Sequence, residues 1–216
     1  MFLPRIDLTD LLLSLPALIL ALTVHEYAHA KAADKMGDPT PRAAGRLTLE
    51  PWAHLDPIGT ILLVLYRFGW AKPVPINPRN FRDPRRGLLY TSLAGPASNF
   101  ILATIAALIW AFAYPLLARV SHLTTIVEYI FILNIYFGVF NLIPIPPLDG
   151  SKVLITLLPG RQAYAFSRLE PYGPIILIIF LLSGLGSALI RTVAGALAGI
   201  IGNLAVHLAA LLGLGG

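Results

Sequence analysis

The sequence predicts an all-α polytopic membrane protein, with about five membrane helices and a short re-entrant, β-hairpin-like segment around residues 57–78. Three observations predict it. Only 12% of the 216 residues are charged, half the roughly 25% of a soluble domain. The mean hydropathy is +0.75. Several apolar runs reach the roughly 20 residues that a membrane helix needs. No stretch is polar enough to form a separate soluble domain, so residues 1–216 read as one membrane-embedded unit, with a core over about 10–160 and a C-terminal helical hairpin over about 173–213.

The elements follow in order. Residues 10–33 form the first helix. Arg5 stands alone before Asp7 and Asp10, and no small-residue cleavage site follows a short apolar core. This run is therefore expected to remain as a helix and not to be removed as a signal peptide. Residues 57–66 are too short to span. The following "RFGWAKPVPINP" has prolines at 73, 75 and 78, which exclude a helix and leave an extended path. Helices are expected at 88–117 and 124–143. The apolar tract 173–213 reads as two helices joined by a tight turn within 183–195, where Arg191 and several glycines interrupt it.

Charge sets the orientation. Residues 67–87 hold Arg67, Lys72, Arg79, Arg82, Arg85 and Arg86 against Asp83 alone, and 34–50 add Lys35, Arg42 and Arg46. Clustered Lys and Arg mark cytoplasmic loops. Segments 34–87 and 144–172 are expected on the cytoplasmic side and the N-terminus outside. The net charge of +5 belongs to these loops, and nucleic acid is not an expected partner; the lipid bilayer is. The chain has no cysteine, which excludes disulfides and thiolate metal sites.

"TVHEYAHAKAADK" (23–35) places His25, Glu26 and His29 at the end of a lipid-like run. Ionisable groups there are costly and point to function. Residues four apart share one helix face, so His25 and His29 can bind one Zn²⁺, with Glu26 beside them as general base for its water. Three protein ligands and one water make a hydrolytic zinc site. Ala32 and Lys35 stand where a metzincin needs Gly and His, which excludes that class. Candidates for the third ligand are Glu50, His54, Asp56, His122, Glu128, Asp149, Glu170 and His207. Depth favours Asp149: it follows helix 124–143 at the cytoplasmic side, in "NLIPIPPLDG" (141–150), where prolines break the helix. A helix cap is its alternative role. His54 and Asp56 are the runners-up, and His207 is expected to be structural. Asn99 and Asn141 are amides within apolar segments that must find partners there.

Taken together, "HEYAH", "FGWAKPVPIN" (68–77), "AGPASN" (94–99) and "NLIPIPPLDG" resemble, in that order, the site-2 protease family of intramembrane zinc metalloproteases. The resemblance covers roughly residues 10–160. It implies one zinc ion per chain on His25, His29 and Asp149, Glu26 as general base, and Asn141 supporting the oxyanion or the substrate. Asn99 takes a similar supporting role. The segment Gly69, Trp70, Lys72, Pro73, Val74, Pro75, Ile76 and Asn77 looks like the membrane-associated hairpin that pairs with an unwound substrate strand. The implied activity is hydrolysis of a peptide bond in or near a transmembrane segment of a membrane-protein substrate, releasing a cytoplasmic fragment. Against larger members, the chain is expected to leave no room for a PDZ domain after its first helix, to carry no CBS domain and to lack a helix before the first. A prenyl-protein protease type, with a glutamate as third ligand, and an inactive membrane adaptor are the alternatives.

Overall fold

A computed structural model describes residues 8–60 and 71–213. Among these, the α-helices with described bounds are α1 (Leu8–Met36), α2 (Thr40–Ala43), α3 (Pro84–Leu117), α4 (Ser121–Asn141), α5 (Asp149–Leu157), α6 (Gly160–Ser167), α7 (Gly173–Leu182) and α8 (Leu185–Leu211); residues 57–60 are helical as well. Among the described residues, five stretches are long and apolar enough to cross a membrane: α1, α3, most of α4, the run Gly160–Leu182, and α8.

The bundle is built on ridges of small residues. On α1 the buried positions Ala17, Ala21, His25, His29 and Ala33 recur every four residues. On α3 the buried positions Gly87, Thr91, Gly95, Asn99, Ala103, Ala107 and Ala111 do the same. An i, i+4 row of small side chains lets two helix backbones approach closely. The rows run antiparallel: Asn99 bonds the carbonyl of Ala21, and His29 bonds the carbonyl of Thr91. The polar residues of the site thus occupy the middle of an alanine and glycine ridge. α4 packs on both α1 and α3, and α8 closes the other side through Ala194, Ala205 and Ala209. On the opposite face of α3, Ile101, Ile105 and Ile109 are exposed; in a bilayer, that face meets lipid.

Several boundaries differ from the sequence expectation. α3 starts at Pro84, because Asp83 caps it by accepting from the N–H groups of Arg85 and Arg86 at 3.0 Å each. The C-terminal turn occupies only Ser183 and Gly184, and Arg191 lies inside α8. Gly184 takes φ +77°, a conformation that glycine adopts at little cost, so one residue is enough to reverse the chain. α7 has only ten residues; the spanning run reaches 23 residues because α6 and a 3-10 turn precede it. Residues 72–77 have no regular secondary structure; Lys72, Val74 and Asn77 each precede a proline and are confined to extended backbone, and the described pairing is a single antiparallel bridge between Leu55 and Ala71. Gly69, Trp70 and most of the 57–66 segment lie outside the described residues.

The link between α4 and α5 turns through 142–148 and includes a cis Pro146–Pro147 bond. It folds back on α5 so closely that a Cβ on Gly150 would lie 2.6 Å from the Ile143 carbonyl oxygen. This close return carries Asp149 to the face of α1.

Candidate active site

His25, His29 and Asp149 converge in the interior, all less than a tenth exposed. His29 Nε2 lies 2.9 Å from His25 Nε2. Asp149 Oδ2 lies 3.0 Å from His29 Nε2 and 3.1 Å from His25 Nε2. Among the described residues this is the one group of three or more His, Asp or Glu placed to share a metal.

The outer bonds fix the tautomers. His25 Nδ1 is 2.7 Å from Asn99 Oδ1. Asn99 spends its amide on the Ala21 carbonyl and on Asn134 Oδ1, so Oδ1 accepts and His25 Nδ1–H donates. His29 Nδ1–H donates to the carbonyl of Thr91 at 2.7 Å. Neutral imidazoles with protons on Nδ1 aim their Nε2 lone pairs inward. Two lone pairs and a carboxylate oxygen about 3 Å apart repel one another unless a cation lies between them. Zinc fits this donor set. With bonds of about 2.0–2.1 Å and a tetrahedral arrangement, ligand atoms sit about 3.3–3.4 Å apart, only a few tenths more than here.

Glu26, one residue on, does not join the triangle. Its Oε2 accepts the backbone N–H of Val74 at 3.0 Å. Glu26, the two histidines, Asp149, Asn141, Pro73, Val74 and Ile76 line one cavity of about 470 Å³. Asn141 Nδ2 donates to the carbonyl of Phe137 one turn back, at 3.0 Å, which leaves its second amide hydrogen for a ligand. Lys72, Pro75 and Asn77 are exposed and do not line the cavity. Asn99 does not line the cavity either: it is 0% exposed, and its polar atoms are engaged by His25, Ala21 and Asn134.

The remaining ligand candidates lie elsewhere. His54 is buried with Nε2 on the Thr48 carbonyl at 2.8 Å. Asp56 accepts the Gly59 N–H at 2.8 Å. Glu128 lines a separate apolar groove with Trp110 and Phe131. His207 bonds the carbonyl of Asn203 in its own helix. Glu170 stands in the cavity lining but outside the metal triangle. Asp149 makes no capping bond; Leu148 is the N-cap of α5.

Some contributors carried no motif. Asn134, 0% exposed, completes the Asn99 relay. Gly95 packs against both histidines, and a Cβ there would lie 2.6 Å from His25 Cε1. Asp38 accepts from Thr40 N and Oγ1, Asn77 N and Asn80 Nδ2. Burial opposes its ionisation, but these hydrogen bonds outweigh burial and hold its carboxyl below the usual range. Its hold on residues 77–80 is therefore complete at neutral pH, and is lost as pH falls through that lowered value.

Outer partners of metal-bound imidazoles are worth about 10–100-fold in affinity. Asn99→Ala is expected to weaken zinc binding by about that factor, measured by competition with a chromophoric chelator. An unchanged affinity would show that Asn99 does not orient His25.

Membrane-length helices around a buried His–His–carboxylate triangle, with a glutamate beside it, define a membrane metallopeptidase. The profile described as "Peptidase family M50" matches residues 116–184, which contain Asn141 and Asp149. The chain is 42% identical over 177 residues to the Bacillus subtilis protein named "Putative zinc metalloprotease YwhC", covering 79% of this chain and 80% of that protein. Rip2 of Mycolicibacterium smegmatis, with the same description, is 27% identical over 76% of this chain and 64% of its own. Zinc metalloprotease MJ0392 of Methanocaldococcus jannaschii is 32% identical over 47% of this chain and 30% of its own. No solved structure gives a significant match. The chain belongs to peptidase family M50, the site-2 protease family. It is a multi-pass membrane metalloprotease, and its cofactor is zinc.

Proposed function

We propose that the protein hydrolyses a peptide bond in or near a transmembrane segment of a membrane-protein substrate, close to the cytoplasmic face, and releases a cytoplasmic fragment. The observation that carries this reading is one cavity shared by His25, His29, Asp149, Glu26 and the extended Pro73–Ile76 stretch. The histidines lie 7 and 11 residues before the end of α1 at Met36, about 10–16 Å from it at 1.5 Å per residue. That end carries Arg42, Arg46, Arg79, Arg82, Arg85 and Arg86, which favours a cytoplasmic location and an N-terminus outside. The whole chain then acts as one membrane-embedded protease domain.

His25, His29 and Asp149 would hold the zinc, which when bound polarises a carbonyl and lowers the pKa of water toward about 7. Glu26 has one oxygen on Val74; its other oxygen takes the proton of the attacking water and returns it to the leaving amine. Asn141 offers its spare N–H to the developing oxyanion. A transmembrane helix conceals its backbone groups and must open before it can be cut. The extended stretch beside the centre suits such an opened strand.

The test is cleavage of a model transmembrane substrate, tagged at both ends, by the purified zinc-loaded protein. The expected products, sized by mass spectrometry, come from one cut inside or within a few residues of the cytoplasmic end of the segment. Cutting confined to soluble loops would overturn the proposal.

A further inference from the structure

Residues 72–78 carry three prolines, so between Pro73 and Pro78 the backbone offers N–H groups only at Val74, Ile76 and Asn77. Two of them point back to the α1 side. Val74 N–H donates to Glu26 Oε2 at 3.0 Å, and Asn77 N–H donates to Asp38 Oδ2 at 2.7 Å. The ends of the segment are tied as well. Lys72 N–H donates to the His54 carbonyl at 2.9 Å, and the Lys72 carbonyl accepts from the Arg46 guanidinium. Beyond Asn77, Asn80 Nδ2 donates to Asp38 Oδ1 at 2.7 Å and Arg82 N–H to the Met36 carbonyl at 3.2 Å. The segment is therefore a strap, fixed at both ends and touching the glutamate at its middle.

A glutamate side chain has three rotatable bonds, and a general base must hold its oxygen within hydrogen-bond reach of the proton it takes. A charge-assisted bond from a fixed backbone N–H removes that freedom. Val74 is only 8% exposed, so water competes poorly for the bond. The bond uses Oε2, and no bond from a described residue reaches Oε1.

We propose that the backbone N–H of Val74 is a positioning group for Glu26, and that Asp38 is the positioning residue that anchors the strap beside it. This rests on the reading of Glu26 as the general base. The strap then does two jobs: the edge that receives substrate also aims the base, so a shift of the strap changes both together.

Val74→Pro deletes the N–H and keeps an extended path, because a residue before proline is already confined to extended conformations. Val74→Ala shortens the side chain and keeps the N–H. The experiment measures kcat, KM and bound zinc for both variants in the full-length protein. Expected is a kcat about 10–100-fold lower for Val74→Pro than for Val74→Ala, with equal zinc content. Equal kcat in the two variants overturns the proposal. If Val74→Pro does not accumulate, Asp38→Asn decides: a fall in kcat exceeding any rise in KM, with zinc retained, supports the anchor, and wild-type kcat overturns it. Glu26→Gln separates the two levels. If it cleaves normally, Glu26 is not the base; if it is inactive while Val74→Pro matches Val74→Ala, only the positioning role fails.

Discussion

Glu26→Gln should lower kcat by about 10²- to 10⁴-fold, the usual worth of a general base, while the protein keeps its full zinc content. The substitution preserves volume, and its amide oxygen can still accept the Val74 N–H that Glu26 Oε2 accepts now. What it removes is the ability to take a proton. Glu26 stands outside the triangle of His25, His29 and Asp149, so the metal should stay. KM should move little, because the change acts on the chemical step. Cleavage kinetics on the tagged substrate, with zinc measured by atomic emission on the same sample, check both halves. A variant that cuts as fast as wild type would remove Glu26 from the mechanism.

Asp149→Ala should abolish both metal and activity. Asp149 supplies the one negative charge of the triangle, at 3.0 and 3.1 Å from the two imidazole nitrogens. Outer-shell partners alone are worth about 10–100-fold in affinity, so losing a direct ligand should cost more than about 100-fold. After dialysis against a chelator, the variant should hold less than about a tenth of the zinc of wild type, the yield of a drop of that size. The fold should survive: Asp149 makes no capping bond, and its interaction with the α5 dipole is worth only about 0.3–1 kcal/mol. If the variant kept its zinc while Glu50→Ala or Glu170→Ala lost it, the third ligand would be a glutamate, as in the prenyl-protein type.

The chemistry of the site was legible where it depended on local period or depth. His25 and His29 stand out because an i, i+4 pair of imidazoles has no reason to sit in lipid without a partner. Asp149 followed from the depth of the helix end before it. What escaped depended on pairing between distant segments. Nothing in the sequence around Asn134 distinguishes it from any membrane asparagine; its role exists only because α4 packs where Asn99 can donate to it. Gly95 matters because α1 lies against it, and Asp38 because residues 77–80 return to it. For Asn99 the sequence leaves open whether the amide faces a substrate or a neighbouring helix, since an amide in an apolar helix does not reveal which way it faces; in the fold it bonds His25, Ala21 and Asn134. The turn at Ser183–Gly184 was spread over thirteen residues because glycines continue into α8, where they are helical and mark no turn.

The composition of the strap has one further consequence. An extended peptide lying along a hydrolytic centre has the shape of that centre's own prey. Of the six peptide bonds between Lys72 and Pro78, three lead to a proline nitrogen, which bears no hydrogen and so cannot donate as a substrate amide does. Two of the remaining N–H groups are already committed to Glu26 and Asp38. On the proposed mechanism the strap is thereby a poor imitation of a substrate, so this stretch can lie beside the centre without being cut.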